Sequence, residues 1–520
     1  MGNVTSTPDR VRLAELVATI SLGTDLGLGQ PMEHVLRHTL VSLRMAELLE
    51  LEVAERNVAY YAGLLCWVGC HTDAYEQSKW FGDDIAAKRD SFRYDQGKAT
   101  QTVAYAVRSV GAGHSPLAKA RLWATLPLAA RQHALVDLRN HWLAADELTE
   151  RLGLGDDVRQ SLKESFERWD GKGFGGVAGD EVRLTSRLVI LADVVTAFYA
   201  SGGLEAAVTV ARQRAGTRFD PELVDLFCRH AGELMAGLDQ TSSWDEVLAA
   251  EPSLGRTLSE SELDDALRAM GDFADIKSPF TIGHSTSVAD LAWAASEAMD
   301  LPHDERIAVR RAAWVHDVGR LGIPNSIWDK PGPLNRSETE RVHLHPYLTE
   351  RMLAGTPALA RLGSIAVQHH ERLDGSGCPR GLTGAAVTTG GRILASADTF
   401  ATLTEPRPHR QRMSGAEAAA SLRHQVEAGG LDADATAAVL EAAGHRAPRR
   451  REWPAGLTAR EVEVLRLLAR GLSNKQIAGE LTISHKTAGS HVEHIYAKAS
   501  VRNRAGVALF AMKHGLMNDY

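Results

Sequence analysis

Cysteine is scarce in this chain of 520 residues: only Cys66, Cys70, Cys228 and Cys378 are present. They are too few and too scattered for a disulfide framework, which fits a reducing interior and a cytosolic location. Cys66 and Cys70 share a CxxxC spacing with no second pair nearby, so they read as core residues, not zinc ligands. Long apolar runs are missing as well. No stretch approaches the roughly 18 residues that span a bilayer, and residues 1–10 lack an apolar signal core. Neither a membrane partner nor export is expected. Strand-like alternation is rare. Disorder is not indicated either, because 44% hydrophobic and 24% charged residues are ordinary for a globular protein.

The net charge of −8 is unevenly spread. Residues 446–520 carry 13 Lys and Arg against six Asp and Glu, a surplus of seven, which leaves −15 for the remainder. A basic tail on an acidic body suits a nucleic-acid-binding end, although basic charge alone is also found on solvated faces. The length allows roughly three domains.

An internal repeat organises the acidic body. At an offset of 250, Leu13 pairs with Leu263, Asp25 with Asp275, His34 with His284, Leu51 with Leu301, and Val68-Gly69 with Val318-Gly319. Further on, His141 pairs with His345, Glu167-Arg168 with Glu371-Arg372, Asp170-Gly171 with Asp374-Gly375, and Asp193 with Asp398. Two copies of one helical domain are therefore expected over residues 11–240 and 258–445. The copies differ where chemistry would sit. His316-Asp317 faces Cys66-Trp67, and His369-His370 faces Ser165-Phe166. With His34, His141 and Asp193 alone, the first copy has too few ligands for a metal pair. It reads as a packing, pairing or sensing domain. Segments 13–22, 288–299 and 307–315 show apolar spacing of three and four and are rich in helix formers, so the body reads as all-α. Residues 446–456, with Pro448, Pro454 and consecutive arginines, read as a basic linker.

The second copy holds a series of ionisable residues: His284 in PFTIGHS, His316-Asp317 in HDVGR, His345 in HLHP, His369-His370 opening HHERLDGSGCPRGL, Asp398 in ADTFATL, then RPHR at 407–410. Imidazoles and carboxylates without thiolates suit Fe, Mn or Zn. The order of motifs over residues 279–413 resembles the HD-GYP branch of the HD phosphohydrolases. The resemblance implies two divalent ions. Asp317 would bridge them, His284, His316 and Asp398 would complete one site, and His345, His369 and His370 the other. Two ions about 3.5–4 Å apart activate water and neutralise phosphate charge. The resemblance makes Asp317 and Arg320 the candidate catalytic residues and Arg320, Asp374, Gly377, Arg407 and Arg410 the candidate substrate contacts. It makes a cyclic dinucleotide such as cyclic di-GMP the leading substrate. Three positions depart from the family: Arg320 for its usual lysine, Cys378 for its namesake tyrosine, and His409 within RPHR. Arginine keeps the charge but is a poor proton donor. A non-catalytic metal or nucleotide sensor remains the alternative.

Residues 457–515 read as a helix-turn-helix. Thr458 with Glu461, and Ser473 with Gln476, form capping boxes. Val462, Leu465 and Leu468 face inward on a first helix, then Ile477, Ala478 and Leu481 on a second. Ser484 caps a third helix bearing Val492, Ile495 and Tyr496, and a fourth starts near Asn503. The stretch, with GLSNKQIAGELTIS, resembles the LuxR-type DNA-binding domain, whose third helix enters the major groove. Lys475, Lys486 and Lys498 are candidate phosphate contacts, and His485, Thr487, Ser490 and His491 are further DNA-facing candidates. The family's usual basic residues are absent at Gly489 and Glu493. By resemblance, homodimerisation through the last helix makes Val507, Leu509 and Met512 candidates for a dimer face or for core. The fold expected is all-α: two tandem HD-type domains and a four-helix LuxR-type end. The chain reads as a ligand-responsive transcription regulator from which phosphodiesterase activity is expected. A tail that binds protein instead of DNA is the rival. No receiver-domain pattern precedes the tail, so phosphorelay input is not indicated.

Overall fold

A computed structural model describes residues 10–445 and 453–516, apart from 96, 240, 241, 254, 502 and 515. Most of the expected linker, 446–452, lies outside them. Among the described residues the architecture is all-α, with isolated bridges such as Arg12–Thr257 but no strand. The chain divides into two compact units, residues 1–445 and 446–520.

In the first unit, Leu13–Leu28, His34–Leu48 and Val53–Leu65 open one half, and Glu260–Asp275, His284–Ala298 and His303–Val315 open the other. Local details recur 250 residues apart. The Val35 amide donates to Asp25 Oδ1 at 3.0 Å, and the Ser285 amide to Asp275 Oδ2 at 2.7 Å. Glu50 and Asp300 both take φ of 54° just after their helices. A Cβ on Gly69 would lie 2.2 Å from the His141 carbonyl oxygen, and one on Gly319 2.1 Å from that of His345. One continuous apolar core runs through both halves, with Leu16, Leu64 and Leu191 in the same cluster as Leu267, Val315 and Leu394. Side chains also cross between halves: His71 packs on Phe273 at 4.4 Å, and the Asn325 amide donates to Asp84 Oδ1 at 2.9 Å.

The helix Leu184–Arg214 differs from the expectation that no segment approaches membrane-spanning character. Its most apolar window has a mean hydropathy of 1.5. Leu188, Leu191 and Val194 of this helix are fully buried core, and the backbone leaves helical geometry at Gly202 and Gly203. Its apolarity is that of an internal helix wrapped on several sides.

The second unit comprises Ala459–Ala469, Asn474–Glu480, His485–Lys498 and Arg504–Lys513 around a separate core of Val462, Leu465, Leu468, Ile477, Val492, Ile495 and Val507. Both capping boxes form, at Thr458–Glu461 and Ser473–Gln476. Ser484 accepts from the Thr487 amide and Asn503 from the Gly506 amide, so each helix starts where its cap dictates.

Candidate functional site

Chain reversals deliver most of the clustered histidines and carboxylates of the second half. His284 opens His284–Ala298 after Gly283, whose φ of 81° is the left-handed turn that swings the chain inward. His316 and Asp317 follow His303–Val315, His345 opens His345–Leu353, and His369-His370 follow Pro357–Ala366. Asp398 alone comes from mid-helix, on Thr389–Thr404. All are buried except His370, whose side chain is 33% exposed and borders a cavity of 260 Å³.

The seven expected ligands converge. Asp317 Oδ1 lies 3.2 Å from His345 Nε2 and 3.5 Å from His369 Nε2. Its Oδ2 lies 3.8 Å from His284 Nε2 and 3.7 Å from His316 Nε2. Asp398 Oδ1 is 3.2 Å from His284 Nε2, and its Oδ2 is 3.7 Å from His370 Nδ1. Three potential ligand sets result: His345–His369–His370, His284–His316–Asp398 and His316–Asp317–His369.

Four of these rings are fixed by a hydrogen bond from Nδ1–H. Nδ1–H of His316 donates to the Ala313 carbonyl at 2.7 Å, that of His345 to Val342 at 2.5 Å, that of His369 to Ala366 at 2.7 Å, and that of His284 to the Glu405 carboxylate at 3.0 Å. The Nε2 lone pairs of His316, His345 and His369 are thereby turned toward the cluster, whereas His284 is held protonated between Glu405 and Asp398. His316 Nε2 is buried without a hydrogen-bond partner, which a cation would supply. Burial drives the His316 imidazole down to about 4 and also lowers His345 and His370, so these rings are neutral near pH 7. Burial would raise the Asp317 carboxyl, but the neighbouring His316 and Arg320 hold it well below the usual range. At His284, burial is outweighed by Asp398 and Glu405, which lift the ring to about 10. The donor set therefore fits divalent cations: neutral imidazoles at His316, His345 and His370, ionised carboxylates and an unpaired inward nitrogen at His316.

The candidate substrate contacts divide. Arg320 is buried beside the centre, with Nη1 3.0 Å from Asp317 Oδ2 and its guanidinium 4.1 Å above the Trp328 ring. Arg407 lines the cavity and donates to Glu405 at 2.9 Å. Arg410 borders the same cavity, but its guanidinium donates to the carbonyls of Thr402, Leu403, Glu405 and Gln411, so it clamps the loop. Asp374 departs from the expectation. It is exposed and accepts from the Ser376 amide and hydroxyl, which folds its own turn. Gly377 does not border the cavity either. A Cβ there would meet the Arg372 nitrogen at 2.4 Å and the His370 oxygen at 2.5 Å, so the glycine seats the backbone under His370. The Cys378 amide donates to the His370 carbonyl, and burial pushes the thiol up to about 11, leaving it neutral.

Three participants escaped the sequence reading: Glu405 on His284, Trp328 under Arg320, and Lys277. The buried Lys277 ammonium donates to the carbonyls of Leu321 at 3.0 Å and Ile323 at 2.5 Å, on the turn that carries Arg320. Only the turn sequence LGIPNSIW hinted at this support.

In the first half, His141 does not join His34 and Asp193, because its Nε2 is on the Cys66 carbonyl at 3.1 Å. His38, unread from the sequence, takes part instead, with Nδ1 3.3 Å from Asp193 Oδ1. Trp67, which faces Asp317 in the repeat, donates its indole N–H to that same oxygen at 2.9 Å. Phe166 packs on Trp67 at 5.4 Å. His34, His38 and Asp193 thus form a potential ligand set of this half, with Trp67 bonded to the same carboxylate.

In the second unit, Lys475, His485, Lys486, Thr487 and Ser490 are exposed and His491 is half-buried. Lys498 departs from the expectation of a free phosphate contact. Its ammonium lies 2.8 Å from Glu461 and 3.0 Å from the Gly456 carbonyl. Val507 is fully buried core, whereas Leu509 and Met512 are 65% and 60% exposed.

Residues 268–434 match the HD-domain family, and 455–511 match the luxR family of bacterial regulatory proteins. The chain is 28% identical over 435 residues, 83% of its length and 94% of the relative, to the 3′3′-cGAMP-specific phosphodiesterase 3 of Vibrio cholerae. It is 38% identical over 185 residues, 36% of this chain and 43% of the relative, to phosphodiesterase 1 of the same specificity and organism. A cyclic di-GMP phosphodiesterase response regulator of Xanthomonas campestris matches at 36% over 126 residues, 24% of this chain and 33% of the relative. The crystal structure of a V. cholerae cyclic GMP-AMP-specific phosphodiesterase shares the fold, with a TM-score of 0.59 at 24% identity over 84% of this chain and 98% of that one. This chain carries an HD domain over residues 268–434 and a LuxR-type DNA-binding domain over residues 455–511.

Proposed function

We propose that the chain is a metal-dependent phosphodiesterase of cyclic dinucleotides joined to a DNA-binding output, a regulator that reads or removes its own ligand. The observation that carries this is the split of Asp317: one oxygen faces His345 and His369, the other His284 and His316. Asp317 with His284, His316, His345, His369, His370 and Asp398 would hold divalent cations of the Fe, Mn or Zn class. Such cations supply charge neutralisation and acidify bound water. The chain's own groups do the rest. Asp317 and Asp398 remain ionised, His316 and His345 remain neutral, Arg320 offsets the charge of Asp317, and Arg407 presents positive charge to a phosphodiester in the cavity. A relative matched over 83% of this chain makes 3′3′-cGAMP the first substrate to test, with cyclic di-GMP beside it. Residues 11–240 and 258–445 are inferred to be two copies of one HD-type domain, the first without a metal pair. The Asp25–Val35 and Asp275–Ser285 bonds and the matched glycine contacts support this.

The test is incubation of the Mn- or Fe-loaded protein with each cyclic dinucleotide. A linear product that disappears in Asp317→Ala is expected. No product, or product that survives that substitution, overturns the enzyme reading. One observation favours a sensor without turnover: Arg320 sits on Asp317 Oδ2, the oxygen a second cation would need. Saturable dinucleotide binding without product would select it.

For the output unit, a homodimer paired through Leu509 and Met512 is proposed to bind DNA with Lys475 and Lys486 on phosphates. Lys486→Ala should lower the slope of log affinity against log salt by about one, whereas Lys498→Ala should not. Binding to genomic fragments that survives removal of residues 457–520 would refute a DNA role for this unit.

A further inference from the structure

The cavity beside the histidine–carboxylate cluster measures 260 Å³, short of the roughly 300–1,000 Å³ of pockets that enclose a drug-sized ligand, and a cyclic dinucleotide is larger still. It does not end there. Phe280, Ile327, Asp329 and Pro408 also line a second cleft of 760 Å³. The far wall of that cleft comes from the first half: Tyr75 and Lys79 on the helix Ala74–Phe81, with Ala112 and His114 from a later loop. At the seam, Phe280 meets Tyr75 edge to face, with ring centroids 6.0 Å apart and planes at 80°. Lys79 caps the Tyr75 ring, its Nζ 4.1 Å from the centroid. Tyr75 is thereby held between Lys79 and Phe280, and Phe280 presents a half-exposed aromatic surface between the two spaces.

A cyclic dinucleotide has two bases but only one phosphodiester under attack at a time. With that phosphate at the metal cluster, one base has to lie further out, and aromatic rings are sequence-tolerant supports for bases. We infer that the outer cleft is a nucleobase subsite. Phe280 stacks the distal purine, and Tyr75 of the first half buttresses Phe280. The first half then contributes a wall of the substrate site, and the selectivity for a two-base substrate over a simple phosphodiester arises at the seam. This rests on the phosphodiesterase reading above.

The test uses the full metal-loaded chain with two substrates: 3′3′-cGAMP and bis(4-nitrophenyl) phosphate, a diester without bases. In Phe280→Ala and Tyr75→Ala, KM for the dinucleotide should rise roughly tenfold, the scale of one lost stacking contact, with a smaller change in kcat. The ratio of kcat/KM between the dinucleotide and the simple diester should fall by a similar factor. Tyr75→Phe and Phe280→Trp should restore it. Ala112→Trp, which fills the outer cleft from the first half, should lower the same ratio without touching the seam. An unchanged ratio in Tyr75→Ala and Ala112→Trp, or equal losses on both substrates, overturns the subsite. Wild-type protein that neither hydrolyses nor binds a cyclic dinucleotide overturns the functional reading itself, an outcome distinct from variants that match an active wild type.

Discussion

At His284 the ring is held from both sides: Glu405 accepts from Nδ1 at 3.0 Å and Asp398 faces Nε2 at 3.2 Å. Glu405 also accepts from Arg407, so it ties a candidate phosphate contact to a candidate ligand. Outer partners of this kind typically contribute ten- to a hundredfold to metal affinity. Glu405→Ala should weaken divalent-metal binding by about that factor, read by competition with a chelator; wild-type affinity would remove Glu405 from the centre. Lys277 supports the site differently. Burial pushes its ammonium from 10.5 down to about 8, among Asp84, Lys88, Arg320 and Asp329. Between those values the unfolded chain binds more protons than the folded one. Stability should therefore rise from pH 8 toward 10.5, by at most roughly 3 kcal/mol, and the penalty should be complete below pH 8. Lys277→Met should lack that rise when denaturant midpoints at pH 7 and pH 9.5 are compared. Equal pH slopes in the two proteins would mean that Lys277 does not titrate in this range.

The turn Val318–Gly322 and the helix His345–Leu353 behave as one element because nothing separates their backbones at Gly319. A Cβ there would meet the His345 oxygen at 2.1 Å and the Thr349 nitrogen at 2.5 Å, both main-chain atoms that cannot swing aside. Gly319→Ala should cost about 1–3 kcal/mol through overpacking and should lower metal content by moving His345 from Asp317. Gly232, in Pro221–Leu234, is the control, because a Cβ added there would meet nothing within 4 Å. Gly232→Ala should be neutral or stabilising by up to about 1 kcal/mol. Equal effects of the two substitutions in urea unfolding would defeat the close-packing account. The helices themselves were legible beforehand, because caps such as Thr458–Glu461 and apolar spacing such as Val462–Leu465–Leu468 are local properties. The use of Arg410 and Lys498 was not legible. Their sequence context suggests free cations, and only the folded chain brings carbonyls and Glu461 to them.

At the level of the whole molecule, the described residues form two hydrophobic cores rather than three. One joins both halves of residues 1–445; the other belongs to the LuxR-type unit. Residues 453–520 alone should give a cooperative helical melt by circular dichroism. Residues 258–445 alone should melt well below residues 1–445, since they lose the apolar surface packed against the first half, including His71 on Phe273. A free-standing second half as stable as the pair would contradict a shared core.

From the sequence alone came the all-α class, the repeat at 250, the caps and the ordered ligand motifs. These depend on spacing and on hydrogen bonds within a few residues, which a chain carries wherever it goes. Tertiary structure alone decided that Asp317 turns its two oxygens to different histidines, that Glu405 reaches His284 across 121 residues, that Trp67 donates to Asp193 across 126 residues, and that Tyr75 backs Phe280. Contacts between distant segments depend on how helices pack, and packing leaves no local pattern to read.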